Sequence, residues 1–124
     1  MIFEGDMSFS ARLTFGATLT VPKIPADCGL VFDRVDINFP TQGELKAFCV
    51  AGLALIGESA IEEADATHLF DWAPLELTVD YKHKFALIIA GPVAVQLSIP
   101  ELREVCTTGL HLLGLADESK EAAQ

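Results

Sequence analysis

Between Phe9 and Val21 the chain alternates strictly. Phe9, Ala11, Leu13, Phe15, Ala17, Leu19 and Val21 are apolar or small, and Ser, Arg, Thr or Gly stands at each position between them. A period of two sends successive side chains to opposite faces, which predicts a long strand with one buried face. Gly16 marks an expected bulge or bend within it. Pro22, Pro25, Asp27 and Gly29 make a turn-rich connection to a second predicted strand, 31–39, with Val31, Val35, Ile37 and Phe39 in phase.

The period then changes. Pro40 ends the strand, and Thr41 and Glu44 have the spacing of a capping box. Leu45, Phe48, Cys49, Gly52 and Ile56 follow on one helical face, and Gly57 closes the predicted helix. Ser59 and Glu62 repeat the capping spacing, so a short second helix is expected over 60–66. Leu75, Leu77, Val79 and Tyr81 alternate with polar residues. Two more strands are predicted over 85–90 and 93–99, with turns at Lys82–Lys84 and Gly91–Pro92. A last helix begins near Pro100 with Leu102, Val105, Cys106, Gly109, Leu110 and Leu113 on its apolar face. Gly114 is its expected stop.

The expected fold class is therefore α+β: a mainly antiparallel sheet of about five strands, with two to three helices packed on one face, in the order β-β-α-α-β-β-β-α. No internal repeat, low-complexity tract or Ser/Gly linker stands out. One domain is expected over 1–116, with a frayed acidic tail over 117–124.

Composition narrows the function. Apolar residues make up 51% of the chain, which argues against disorder. The uncharged helical stretch 47–57 is far short of the roughly 20 residues that span a bilayer. The first residues carry Glu4 and Asp6 and no basic cluster, so no secretory signal is read there. Cys28, Cys49 and Cys106 are odd in number and widely spaced, as free thiols in a reducing compartment would be; the expected location is cytoplasmic. Cys49 and Cys106 fall on apolar helix faces, whereas Cys28 is expected in an exposed loop.

A formal charge of −10 disfavours direct binding to nucleic acid or to an anionic membrane. No nucleophile elbow, phosphate loop or dinucleotide fingerprint is present, and His68, His83 and His111 do not cluster with cysteines. His68 and Asp71 have a spacing that could hold a metal edge or a base–orienter pair, with no third ligand suggested nearby. No catalytic residue, cofactor or metal is expected.

Two surfaces stand out instead. From Ala47 to Tyr81 there is no Lys or Arg, while seven acids fall in that span. Glu58, Glu62, Glu63 and Asp65, with Phe70, Asp71 and Trp72 after them, form an expected partner-binding surface, acidic with an aromatic anchor. Ala47, Val50, Ala51 and Ala54 lie opposite the apolar face of the first helix, where polar residues belong on a surface helix; they are the expected dimer interface. The expected function is a non-enzymatic acidic interaction module, a homodimer that binds a basic protein partner as an inhibitor of its nucleic-acid site would. A self-assembling structural subunit is the alternative, and a small-ligand-binding domain or enzyme the third.

Overall fold

The computed structural model describes residues 2–24, 26–57, 66–70 and 75–122. Strands β1 (Ile2–Glu4), β2 (Ser8–Arg12), β3 (Thr18–Pro22), β4 (Cys28–Val31) and β5 (Asp36–Phe39) form one antiparallel sheet in sequential order. Helix α1 (Gln42–Gly57) follows. Strands β6 (Ala66–Phe70), β7 (Leu75–Asp80), β8 (Phe85–Ala90) and β9 (Val93–Ser98) form a second antiparallel sheet, and α2 (Ile99–Ala122) ends the described chain. The class is α+β and antiparallel, as expected. The expected single sheet is replaced by two, in the order βββββ-α-ββββ-α.

The long alternating segment is not one strand. It is the β2–β3 hairpin, turned by hydrogen bonds from the Leu13 N–H to the Ala17 carbonyl (2.7 Å) and from the Gly16 N–H to the Leu13 carbonyl (3.0 Å). Gly16 takes a φ of 96°, a left-handed conformation that disfavours residues with a Cβ. The register pairs Phe9 with Val21 and Ala11 with Leu19, odd with odd. The hairpin therefore keeps the parity of the straight strand, and Phe9, Ala11, Leu13, Ala17, Leu19 and Val21 are all buried.

The second predicted strand is likewise a hairpin, β4–β5, but its register flips parity: Leu30 faces Ile37 and Cys28 faces Phe39. Even residues of β4 point inward, so Val31 is exposed and Cys28 is buried in a strand rather than exposed in a loop. Residues 66–70, expected to end a helix and enter a loop, form β6. The short helix expected over 60–66 otherwise lies outside the described residues. Helix α2 runs on through Gly114 and into the tail expected to fray. An exposed helical glycine costs about 1 kcal/mol, and burial of Leu112, Leu113 and Ala116 around it offsets that.

The chain also proves to be two copies of one plan, contrary to the expectation of no repeat. Each copy is an antiparallel meander followed by a helix. Leu19, paired with Leu30, corresponds to Leu77, paired with Ile88. Residues 44–57 and 101–114 share seven identical positions of fourteen at a separation of 57, among them the Cys-x-x-Gly-Leu of each helix. Both helices open on a capping residue. Thr41 caps α1 with Glu44. At α2 the exchange is reciprocal: the Ser98 N–H donates to Glu101 Oε1 (2.8 Å) and the Glu101 N–H to Ser98 Oγ (3.2 Å).

The helices pack on each other; α2 lies mainly on β2 and β3, the sheet of the other half, and also touches β8 and β9, while α1 touches β5, β6 and β7 alike. At the crossing a Cβ on Gly52 would stand 2.5 Å from Cys106 Sγ, and one on Gly109 would stand 2.6 Å from Cys49 Sγ. The neighbours match as well, Leu77 and Leu102 around the first glycine and Leu19 and Leu45 around the second. The centre of the molecule is thus a pseudo-twofold contact in which each helix's glycine receives the other's thiol.

Candidate interaction surface

Helix α1 buries Leu45, Phe48, Cys49, Gly52 and Ile56. Positions 47, 50, 51 and 54 follow the i, i+3, i+4, i+7 spacing of a single stripe. That stripe is turned outward: Ala47 and Ala54 are exposed, Ala51 is half-buried, and Val50 is 52% exposed.

The duplication supplies an internal control. At the corresponding positions α2 carries Glu104, Thr107, Thr108 and His111. They border a groove of about 280 Å³ whose other walls are Ile2, Ala11, Arg12 and Leu13. Here β1 lies along the outer edge of β2, and Ile2 lines the groove. The Thr14 N–H donates to Glu104 Oε2 (2.8 Å) and its hydroxyl to Oε1 (2.6 Å), tying the β2–β3 turn to α2. In the first half, then, the edge beside the helix is covered and the helix stripe is polar.

In the second half the helix stripe is apolar. Strand β6 pairs with β7, and among the described residues no strand pairs with its other edge. From Ala66 to Phe70 it carries no Lys, Arg, Asp or Glu. Edge strands of soluble proteins ordinarily carry charge, proline or a bulge that discourages pairing. Phe70 turns inward against Phe48, with ring centroids 5.7 Å apart, while Leu69 points the other way and is 69% exposed. Thr67 and Thr78 join their hydroxyls at 3.0 Å on the same outer face as Leu69.

Of the residues expected to meet a partner, Phe70 is described and occupies the core. Glu58, Glu62, Glu63, Asp65, Asp71 and Trp72 lie outside the described residues. His68 sits on β6 opposite Leu77, and its expected companion Asp71 is outside the described residues. His83 closes the β7–β8 turn. Its N–H donates to Asp80 Oδ1 (3.0 Å) and its Nδ1 lies 2.9 Å from Oδ2. These bonds, the backbone one foremost, hold the Asp80 carboxyl below the usual carboxylate range. Among the described residues no charged or polar side chain is buried, no three potential metal ligands gather, and no helix is long and apolar enough to cross a membrane.

All three cysteines are free and buried. The hydrogen bond with Cys49, and then burial, push the Cys106 thiol well above its ordinary range. A thiol raised in this way stays protonated at neutral pH and is a poor nucleophile. A thiol-reactive probe should therefore modify Cys49 and Cys106 only when denaturant unfolds the chain. Rapid labelling of the native protein at neutral pH would contradict this packing.

Strand β6 was missed in the sequence because 66–70 is short and was read as the end of a helix and a loop. Its signal is a five-residue run without charge inside an acidic region. No protein-family model matches the chain, and neither a curated protein nor a solved structure matches it.

Proposed function

We propose that this protein is a non-enzymatic, acidic interaction module that acts as a homodimer and engages a basic protein partner, as an inhibitor of a nucleic-acid-binding surface would. The observation that carries this reading is the outward apolar stripe of α1. Its counterparts on α2 are Glu, Thr, Thr and His, so an equivalent position in the same fold is soluble with polar residues. The apolar version costs hydration unless something covers it. The acidic bias, −10 over the chain, supports a basic partner, since complementary charge raises association rates and repels acidic competitors.

The partner side is tested by association rates against a panel of purified basic nucleic-acid-binding domains. Binding should slow markedly between 0.1 M and 1 M salt, over which the Debye length falls from about 10 Å to about 3 Å. Charge reversal at Glu58, Glu62 and Glu63 should slow it at low salt. Rates indifferent to both changes would contradict a basic partner. Self-assembly into larger structures is the second reading, favoured by β9, which is free of charged residues and is paired on one side alone among the described residues.

A further inference from the structure

We infer that the cavity beside the β7–β8 turn is a binding site for a small organic anion, a carboxylate whose apolar body fills the cavity and whose charge meets Lys84. The site is independent of the interaction surfaces proposed above.

The cavity has a volume of about 270 Å³, and among the described residues Tyr81, Lys84, Ile99 and Pro100 line it. It opens where the end of β7 meets the start of α2. The first half of the chain shows this junction closed. Tyr81 corresponds to Lys23 and Lys84 to Ala26, at the separation of 58 that relates β7 to β3; Ile99 and Pro100 correspond to Gln42 and Gly43, at the 57 that relates the helices. There Gln42 Nε2 donates to the Pro22 carbonyl (2.8 Å), so a side chain ties the helix to the strand end. Lys23 turns away, over the Phe9 ring and onto Glu4 (3.0 Å). Ile99 carries no donor for such a tie. The gap in the second half is open, and its walls are a tyrosine ring, an isoleucine and a proline. The Tyr81 hydroxyl donates to the Leu55 carbonyl (2.8 Å), which fixes the ring in place as one wall.

The local charge runs against that of the chain. Lys82 and Lys84 share one turn, the only place where two of the eight Lys and Arg residues fall within three positions, in a chain of net charge −10. The acids that flank the lining residues in sequence are engaged: both carboxylate oxygens of Asp80 with His83, and Glu101 Oε1 with the Ser98 N–H. Lys84 is exposed and makes no ion pair among the described residues. Its flexible four-carbon stem lets the ammonium reach over the mouth of the cavity. An apolar cavity with one cation at its rim selects a ligand of matching parts. The apolar body leaves water, while the carboxylate stays at the mouth, where it keeps part of its hydration and takes a charge-assisted hydrogen bond. A bare inorganic anion would leave the walls wet, and a cationic ligand would meet two lysines.

Tyr81 is the chain's one tyrosine, so its ring signals in an NMR titration report the site directly. Phenylacetate is the probe, with phenylacetamide as the neutral analogue and acetate as the anion without an apolar body. Phenylacetate should shift the Tyr81 signals saturably, with a dissociation constant of about 1 mM or below. The amide and acetate should each bind about tenfold more weakly. Lys84→Asn removes the charge, and asparagine tolerates the φ of 61° found there. It should weaken phenylacetate about tenfold and leave the amide unchanged. Ile99→Trp should fill the cavity and abolish binding of both aromatic compounds. Circular dichroism confirms that each variant is folded. Tyr81 signals unmoved by about 10 mM phenylacetate would overturn the site. Equal affinity for phenylacetate and its amide, or full affinity for phenylacetate in folded Lys84→Asn, would overturn the role of Lys84 and with it the anionic ligand. Binding retained in folded Ile99→Trp would overturn the cavity as the place where the ligand sits.

Discussion

Replacing Phe48 with alanine should cost about 3–5 kcal/mol of folding stability, the range for deleting a buried phenylalanine side chain. Phe48 is fully buried on α1, and its ring lies 5.2 Å from that of Phe39 and 5.7 Å from that of Phe70. Phe39 belongs to the first sheet and Phe70 to the second, so one side chain joins both halves across the helix layer. Each aromatic pair adds about 0.5–1.5 kcal/mol beyond the area it buries. A domain of this size has about 5–15 kcal/mol in total, and the variant should stand near the edge of folding. Urea denaturation reads the loss as a fall in the midpoint. Phe15→Ala, at the half-buried tip of the β2–β3 turn, is the comparison and should lose far less. Equal losses at the two positions would contradict the assignment of Phe48 to the centre of the core.

Gly52→Ala should also destabilise, although alanine is the better helix former by about 1 kcal/mol. The added methyl group would stand 2.5 Å from Cys106 Sγ, too close for any carbon–sulfur contact. The sulfur is one bond from its own Cβ and has little freedom to swing away, and Leu77 and Leu102 also lie within 4 Å of the new methyl group, so the packing between the helices must shift. Overpacking of this kind costs about 1–3 kcal/mol. The diagnosis is made by the double variant. Gly52→Ala with Cys106→Ala removes the clash and keeps the gain in helix propensity, so most of the loss should return. Gly109→Ala with Cys49→Ala should behave in the same way, because the two contacts are related by the pseudo-twofold axis. If Gly52→Ala is as stable as wild type, or if Cys106→Ala fails to rescue it, the reciprocal thiol–glycine packing is not the constraint described here.

Periodicity carried most of the strand and helix content and little of the topology. Odd-position burial from Phe9 to Val21 was legible because a hairpin that pairs odd with odd residues leaves alternation undisturbed; for the same reason the turn at Gly16 was hidden. The β4–β5 hairpin pairs even with odd residues, so extending one phase from Val31 to Phe39 put Val31 inside, and reading 22–29 as a loop put Cys28 outside, the reverse of what is found. Two sheets in place of one follow from those turns and from β6, which alternation over five residues could not reveal. The duplication was in the sequence, in Glu-Leu-Lys at 44–46 and Glu-Leu-Arg at 101–103 and in Cys-x-x-Gly-Leu after each. It was obscured because β3, β4 and β5 correspond to β7, β8 and β9 at a separation of 58, while β2 and β6, and the two helices, correspond at 57. The outward stripe of α1 was legible, since an all-round apolar helix shows in composition alone. Strand β6 beside it was not, because five residues carry too little alternation to separate a strand from a loop.

The central claim is that one repeat of the fold has an apolar face for association while its twin does not. Val50→Glu and Thr107→Glu test it most directly. They add the same charge at corresponding, exposed positions of α1 and α2. In sedimentation equilibrium the wild type and Thr107→Glu should both be dimers, and Val50→Glu should be a folded monomer. A monomeric wild type, or equal dissociation of the two variants, would contradict the account.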